Sequence, residues 1–147
     1  MLAVAGGDVL AQAALPTPLL LALFVLSVAL VNLVMASSSA KYAFLAPVFV
    51  PMFMQVGVSP ELTQAAYRIG DSITNAVAPL NPYQVILLIL LQRYAPGSGI
   101  GTLVALMIPY ALAFAVVWTA LLAAWGALGL SLGPAGPLGY SASGGVH

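Results

Sequence analysis

Charged side chains are scarce in this chain, and cysteine is absent. Asp, Glu, Lys and Arg together make up 4% of the residues, whereas they supply about a quarter of a typical soluble domain. The lack of cysteine excludes a disulfide framework and a thiolate metal site. Histidine occurs once, as the terminal residue His147, to which we assign no role. The net charge is zero, which gives no indication of nucleic acid as a partner.

Hydrophobic residues, by contrast, supply 63% of the chain, and the mean hydropathy is +1.12. A 15.0 kDa globule cannot bury so much apolar surface, because a small domain leaves much of its surface in water. Neither alternating strands nor Asn-Gly hairpin signals are found. The composition therefore predicts an all-α integral membrane protein that has the lipid bilayer as its solvent.

The intervals between charges predict helical segments of unequal length. Residues 1–18 are interpreted as an N-terminal linker or remnant without a cleaved signal, because no Lys or Arg precedes the apolar residues. The remaining predicted segments are a helical hairpin over 19–56 with its tip at 36–40, a broken transmembrane helix over 60–95 with the break at 75–82, a C-terminal transmembrane helix over 100–131, and a disordered tail over 132–147.

The hairpin tip is a serine cluster, Ser37, Ser38 and Ser39. Serine favours turns and caps, because its hydroxyl competes for backbone hydrogen bonds. The apolar arm that follows is shorter than the roughly 20 residues of a full span. Two interpretations stay open: a re-entrant hairpin with Lys41 near a buried tip, and a full-width helical hairpin with a serine loop at the membrane surface.

The most informative stretch is residues 60–75, where five polar side chains recur at helical spacing: Glu61, Gln64, Arg68, Asp71 and Asn75. Steps of three and four place them on one helical face. Charges inside a bilayer are costly, so this face is expected to lie against protein or a watery cavity. One interpretation is a structural Arg68–Asp71 pair that joins two helices. The favoured one is a substrate or ion site.

Prolines at positions 79 and 82 predict that the helix opens just after this face, since proline has no backbone N–H to donate. Carbonyls freed by the opening, together with nearby hydroxyls, suit a small cation. The predicted ion-binding or coupling residues are Ser37, Ser38, Asp71, Ser72, Thr74 and Asn75.

Several long motifs resemble one known family. SSSAKYAFLAPVFVPMFM, SPELTQAAYRIGDS and LMIPY are similar to the C-terminal part of the p-aminobenzoyl-glutamate transporter family, and the resemblance extends over residues 19–136. It implies one half of an inverted-repeat secondary transporter, with a re-entrant hairpin and a broken helix. It also implies a multi-pass protein of the bacterial inner membrane that forms a homodimer.

The resemblance further implies a function and a site. The family moves p-aminobenzoyl-glutamate, a folate catabolite and aromatic amino-acid conjugate, and some members are linked to sulfonamide export by antiport. Transport is thought to be coupled to Na⁺ or H⁺, with no other cofactor. Carried over by motif, the substrate-binding positions are Asn32, Ser39, Tyr42, Pro60, Arg68 and Asp71. One departure is Tyr42, since the SAK motif is usually followed by Trp; a smaller ring offers less stacking area.

The chain is much shorter than family members, so the leading hypothesis is a C-terminal fragment of an ion-coupled transporter that lacks its N-terminal half. The alternative is a small non-transporting membrane scaffold or subunit, or a non-functional remnant. An intramembrane enzyme is disfavoured, because a nucleophilic serine needs a base and only Lys41 is near the serines.

Overall fold

The computed structural model describes residues 15–35 and 37–132, which form five helices. They are α1 (Thr17–Asn32), α2 (Ser38–Gln55), α3 (Pro60–Asn75), α4 (Tyr83–Tyr94) and α5 (Ile100–Ala127). The predicted all-helical fold is confirmed. Most of the predicted N-terminal linker, and all but the first residue of the predicted tail, lie outside the described residues.

The turn between α1 and α2 lies closer to the N-terminus than predicted. α1 ends at Asn32 and α2 already begins at Ser38, so the end of the predicted tip is helical. Ser37 is the N-cap of α2, and its hydroxyl accepts a hydrogen bond of 3.4 Å from the amide of Ala40. The serine cluster therefore starts the second arm, because a serine at this position satisfies one of the free amides of the first helical turn.

α1 and α3 are the most closely packed pair of helices, because Gly70 allows their backbones to approach each other. A Cβ atom at position 70 would lie 2.5 Å from the carbonyl oxygen of Val25 and 2.8 Å from the Cβ of Val28. Both contacts are shorter than real carbon contacts allow, so only glycine permits this approach. The resulting separation brings the Asn32 side chain within hydrogen-bond distance, 2.9 Å, of the backbone oxygen of Asp71.

α2 joins this pair through aromatic side chains. The ring of Phe24 on α1 lies 4.8 Å from that of Phe53 in a T-shaped arrangement and 5.0 Å from that of Phe49. The ring of Tyr42 on α2 lies 4.8 Å from that of Tyr67 on α3, with the two ring planes tilted by 56°. Such pairs add about 0.5–1.5 kcal/mol each to the free energy of area burial. They fix α2 against the other two helices at both of its ends, through Tyr42 near its start and through Phe49 and Phe53 in its last turns.

α5 is the one helix in the described part of the chain that is long and apolar enough to cross a membrane. Its 28 residues correspond to about 42 Å at 1.5 Å per residue. It stays helical through Pro109, and Leu122 packs into the core formed by α1–α3. Most of its remaining surface is uncovered by the described residues, as expected of a helix that faces lipid or further protein.

Candidate functional site

The centre of the candidate site is an ion pair between α2 and α3. The ammonium of Lys41 lies 2.6 Å from Oδ1 of Asp71. Lys41 is completely buried and Asp71 is 4% exposed. A buried charge without a partner is costly, so each of these side chains requires the other.

Asn32, at the last helical residue of α1, completes the centre. Its Oδ1 accepts a short hydrogen bond from the Lys41 ammonium. Its Nδ2 lies within hydrogen-bond distance of the backbone oxygen of Asp71 (2.9 Å), Oγ1 of Thr74 (3.0 Å) and Oδ1 of Asn75 (3.2 Å). These acceptors fix the orientation of the amide, so that its oxygen points at the ammonium. We call Asn32, Lys41, Asp71, Thr74 and Asn75 the polar cluster.

The position of Lys41 in its helix makes the ion pair necessary. Lys41 lies in the first turn of α2, where the backbone amides and the helix dipole disfavour a positive charge. Asp71 supplies the compensating negative charge from the neighbouring helix. From the sequence, Lys41 was expected near the hairpin tip but was not among the predicted binding residues. A lone lysine beside a serine cluster in so apolar a chain was the signal for it.

The structure separates the predicted polar face of α3. Asp71 is buried, whereas Glu61, Gln64, Arg68 and Asn75 are exposed. Successive residues are rotated by about 100° around a helix, which places Asp71 at the edge shared by the polar face and the buried face. The salt bridge of Asp71 is to Lys41, and no Arg68–Asp71 pair is present among the described residues, so the structural pair considered from the sequence is wrong.

The break after α3 differs from the prediction in its hydrogen bonding. Pro79 has no N–H to donate to the carbonyl of Asn75. This carbonyl instead accepts a hydrogen bond of 3.0 Å from Nδ2 of Asn81. The carbonyl of Ala78, which lacks a donor from Pro82, accepts a hydrogen bond of 3.0 Å from the backbone amide of Asn81. The two carbonyls that we expected to be bare and available to a cation, those of Asn75 and Ala78, are therefore both paired.

The carbonyl of Ala76 accepts a short hydrogen bond from Nε2 of Gln84. Gln84 is 2% exposed. Its capping role could not be recognised from the sequence, because nothing in its spacing indicates a hydrogen bond to a carbonyl eight residues earlier.

The other predicted site residues lie around the polar cluster at various distances. Ser38 is half-buried, and its backbone oxygen accepts a hydrogen bond of 2.7 Å from the hydroxyl of Tyr67, which is outside the polar cluster. Ser37, Ser39 and Ser72 are exposed. Pro60 begins α3, eleven residues before Asp71, which is about 16 Å along the helix axis. The structure thus brings Asn32, Asp71, Thr74 and Asn75 together and leaves Pro60 at the opposite end of α3.

Comparisons with known proteins identify the family of this chain. The AbgT putative transporter family matches residues 1–140. The p-aminobenzoyl-glutamate transport protein of Escherichia coli (strain K12) is 46% identical over 99 residues, which are 67% of this chain and 20% of that protein. The resemblance seen in the sequence motifs is therefore confirmed.

Two solved structures share the fold. The YdaH transporter of Alcanivorax borkumensis is 52% identical and superposes with a TM-score of 0.87 over 90% of this chain and 28% of that one. MtrF of Neisseria gonorrhoeae, described with a class of antimetabolite efflux pumps, is 42% identical with a TM-score of 0.81 over 92% of this chain and 27% of that one. The chain thus spans between a fifth and just over a quarter of these relatives.

Proposed function

Because this chain belongs to the AbgT putative transporter family, we propose that it forms part of a membrane transporter for p-aminobenzoyl-glutamate-like aromatic acids. The E. coli relative is named for transport of p-aminobenzoyl-glutamate. The composition and the long apolar helix α5 support a location in the membrane. The chain contributes one wall of the substrate cavity, and the second wall comes from the rest of the transporter.

The observation that carries this proposal is the division of α3. One side of the helix packs into the core and holds Asp71 in the polar cluster, while the other presents Arg68 without any hydrogen-bond or ion-pair partner among the described residues. An uncovered guanidinium about two turns before a helix break is expensive against lipid. It is well suited to a cavity that receives an anion.

Arg68 fits the substrate by its chemistry. A glutamate conjugate carries carboxylates, and the planar guanidinium binds a carboxylate through two parallel hydrogen bonds. Tyr42, half-buried near the start of α2, is proposed to contact the aminobenzoyl ring. Its ring already contacts the tilted ring of Tyr67 at a centroid distance of 4.8 Å, so it offers the ligand an edge or its second face. The remaining residues carried over from the family, Asn32, Ser39, Pro60 and Asp71, complete the proposed substrate site.

Coupling to Na⁺ or H⁺ is proposed to act through the polar cluster and the hydroxyls beside it. Asp71, Thr74 and Asn75 supply oxygen atoms there, and Ser37, Ser38 and Ser72 border it. A re-entrant placement of α1 and α2 would set this cluster at membrane depth, because irregular backbone is tolerated there only next to protein or a cavity. The hairpin placement, the inner-membrane location and the homodimer belong to the same proposal.

The test is transport by a hybrid in which residues 15–132 of this chain replace the matching segment of the A. borkumensis YdaH transporter. In proteoliposomes, we expect the hybrid to take up p-aminobenzoyl-glutamate and Arg68→Ala to lower uptake by roughly 10-fold or more, the value of one charged hydrogen bond. Arg93→Ala, at an exposed arginine in the last turn of α4, is the matched control and should leave uptake unchanged.

Unchanged uptake in both Arg68→Ala and Asp71→Ala hybrids would contradict the site assignment. A hybrid that moves a sulfonamide but not p-aminobenzoyl-glutamate would replace the proposed substrate by the efflux alternative. A hybrid that inserts and folds but moves neither compound would favour the non-transporting scaffold or remnant.

A further inference from the structure

The Lys41 ammonium lies between two side-chain oxygens, in a position that would suit a small cation. Two side-chain oxygens face it, Oδ1 of Asn32 and Oδ1 of Asp71. An amide oxygen and a carboxylate oxygen on a buried ion are typical ligands of hard cations. Here the positive charge is covalently attached to α2.

The amide oxygen of Asn32 is held in place independently of the lysine, whereas the Asp71 carboxylate has Lys41 as its hydrogen-bond partner among the described residues. Asn32 is fixed because its Nδ2 donates to the backbone oxygen of Asp71. Thr74, another of its contacts, donates in turn from Oγ1 to the backbone oxygen of Ala29 at 3.1 Å. Asn32 is 1% exposed, and Gly70 sets the helix separation that positions it against Asp71. A pre-positioned amide oxygen and a carboxylate oxygen that together surround one buried positive charge are the ligand types of a hard-cation site.

We propose that Lys41 is a tethered cation, which occupies the position between Asn32 and Asp71 and thereby excludes alkali cations from the polar cluster. This inference rests on the proposed coupling role of the cluster and narrows it from Na⁺ or H⁺ to H⁺: while the ammonium is in place, a free Na⁺ or K⁺ does not bind there. Lys41 is in this sense the residue that determines the ion specificity of the cluster.

Charge balance gives the proposal its test. Removing the ammonium alone leaves the Asp71 carboxylate buried and unpaired, which strongly destabilises the fold. A free monovalent cation restores neutrality if the oxygens can bind it. Binding to the folded state raises the apparent stability in proportion to the logarithm of the cation concentration.

The experiment follows thermal unfolding of the full chain in lipid nanodiscs by circular dichroism. Wild type and Lys41→Met are compared in sodium, potassium and choline chloride at equal ionic strength. We expect the Tm of Lys41→Met to rise by about 4 °C or more in sodium or potassium relative to choline, and that of wild type to be the same in all three. Arg93→Met is the control for loss of a cation outside the cluster, and should behave as wild type.

The double variant Lys41→Met/Asp71→Asn carries no charge in the cluster and should fold without any alkali-cation response. A Lys41→Met chain that does not respond to alkali cations, or does not fold in any of the salts while the double variant folds, overturns the proposal. A wild type stabilised by sodium through Asp71 also overturns it. So does a double variant that fails to fold, because Lys41 would then be needed for packing rather than charge. None of these measurements depends on transport.

Discussion

The carboxylate of Asp71 on α3 pairs with the ammonium of Lys41 on α2 at 2.6 Å, and not with the arginine three residues before it. The arginine and the aspartate share one helical face in the sequence. In the fold they separate into two environments, because Asp71 lies at the edge of the buried face and Arg68 lies outside it. This separation leaves one charge for the interior and one for the proposed cavity.

The pair predicts a strong energetic coupling between Lys41 and Asp71. Asp71→Asn alone leaves a buried ammonium without its counter-charge and should lower the free energy of unfolding by about 3–5 kcal/mol. The double variant Lys41→Met/Asp71→Asn should recover most of that loss. A double-mutant cycle measured by denaturant unfolding in nanodiscs checks this, with Arg68→Met/Asp71→Asn as the matched cycle. Equal coupling in the two cycles would be incompatible with the ion pair described here.

Close contact of α1 with α3 predicts that Gly70→Ala destabilises the chain. The added methyl group collides with the carbonyl of Val25, and backbone must shift, at a cost of about 1–3 kcal/mol. Gly126→Ala on α5 is the control, because nothing lies within 4 Å of its added Cβ and alanine is the better helix former. Thermal unfolding should show a lower Tm for the first variant and an unchanged or higher Tm for the second; the reverse order would refute the account of this crossing.

The capped break predicts that Gln84 holds the end of α3. Gln84→Leu removes the donor to the Ala76 carbonyl and leaves a buried acceptor unpaired, which costs about 1–3 kcal/mol. Amide hydrogen exchange over residues 76–84 should accelerate. Gln92→Leu removes a similar cap, on the carbonyl of Ser98, but at an exposed position where water substitutes. Protection at the break that is insensitive to Gln84→Leu would rule out the capping role.

Tyr67 connects α3 to the start of α2 through its hydroxyl. Tyr67→Phe removes the 2.7 Å hydrogen bond to the Ser38 carbonyl but keeps the ring contact with Tyr42. We expect a loss of about 1 kcal/mol in the free energy of unfolding. Tyr110→Phe, at a ring that is 61% exposed on α5, serves as control and should change little. Equal losses in both variants would mean that the hydroxyl of Tyr67 contributes nothing specific.

Relatives usually carry Trp at the position of Tyr42. We therefore expect the substrate affinity of this chain to differ from theirs. In the transporter hybrid, Tyr42→Trp should lower the KM for p-aminobenzoyl-glutamate, because the larger ring offers more stacking area. Uptake as a function of substrate concentration measures this. Tyr94→Trp, at an exposed ring at the end of α4, controls for a general effect of tryptophan. An unchanged or higher KM for Tyr42→Trp would remove Tyr42 from the substrate site.

Much of the site could be predicted from local pattern. The recurrence of polar residues at helical spacing identified Asp71 and Asn75, and the motif resemblance identified Asn32. Two things could not be predicted in this way. Lys41 and Gln84 act on residues of other segments, and spacing carries no information about a neighbour that is distant in sequence. The prediction of bare carbonyls at the break was wrong for a different reason, because Asn81, which lies between the two prolines, supplies the donors to the carbonyls of Asn75 and Ala78.

The sequence by itself determined that this chain is a helical membrane protein, because 4% charged residues and 63% hydrophobic residues leave no other solvent for its surface. It also determined which side chains of α3 share a face, since helical geometry is local. Only the tertiary structure decided the partner of Asp71. That choice depends on Gly70, which brings α1 against α3, and on Ser37, which starts α2 so that Lys41 enters the interior. Helical periodicity determines on which face of α3 the Asp71 carboxylate lies, but the packing of the helices determines that its partner is Lys41.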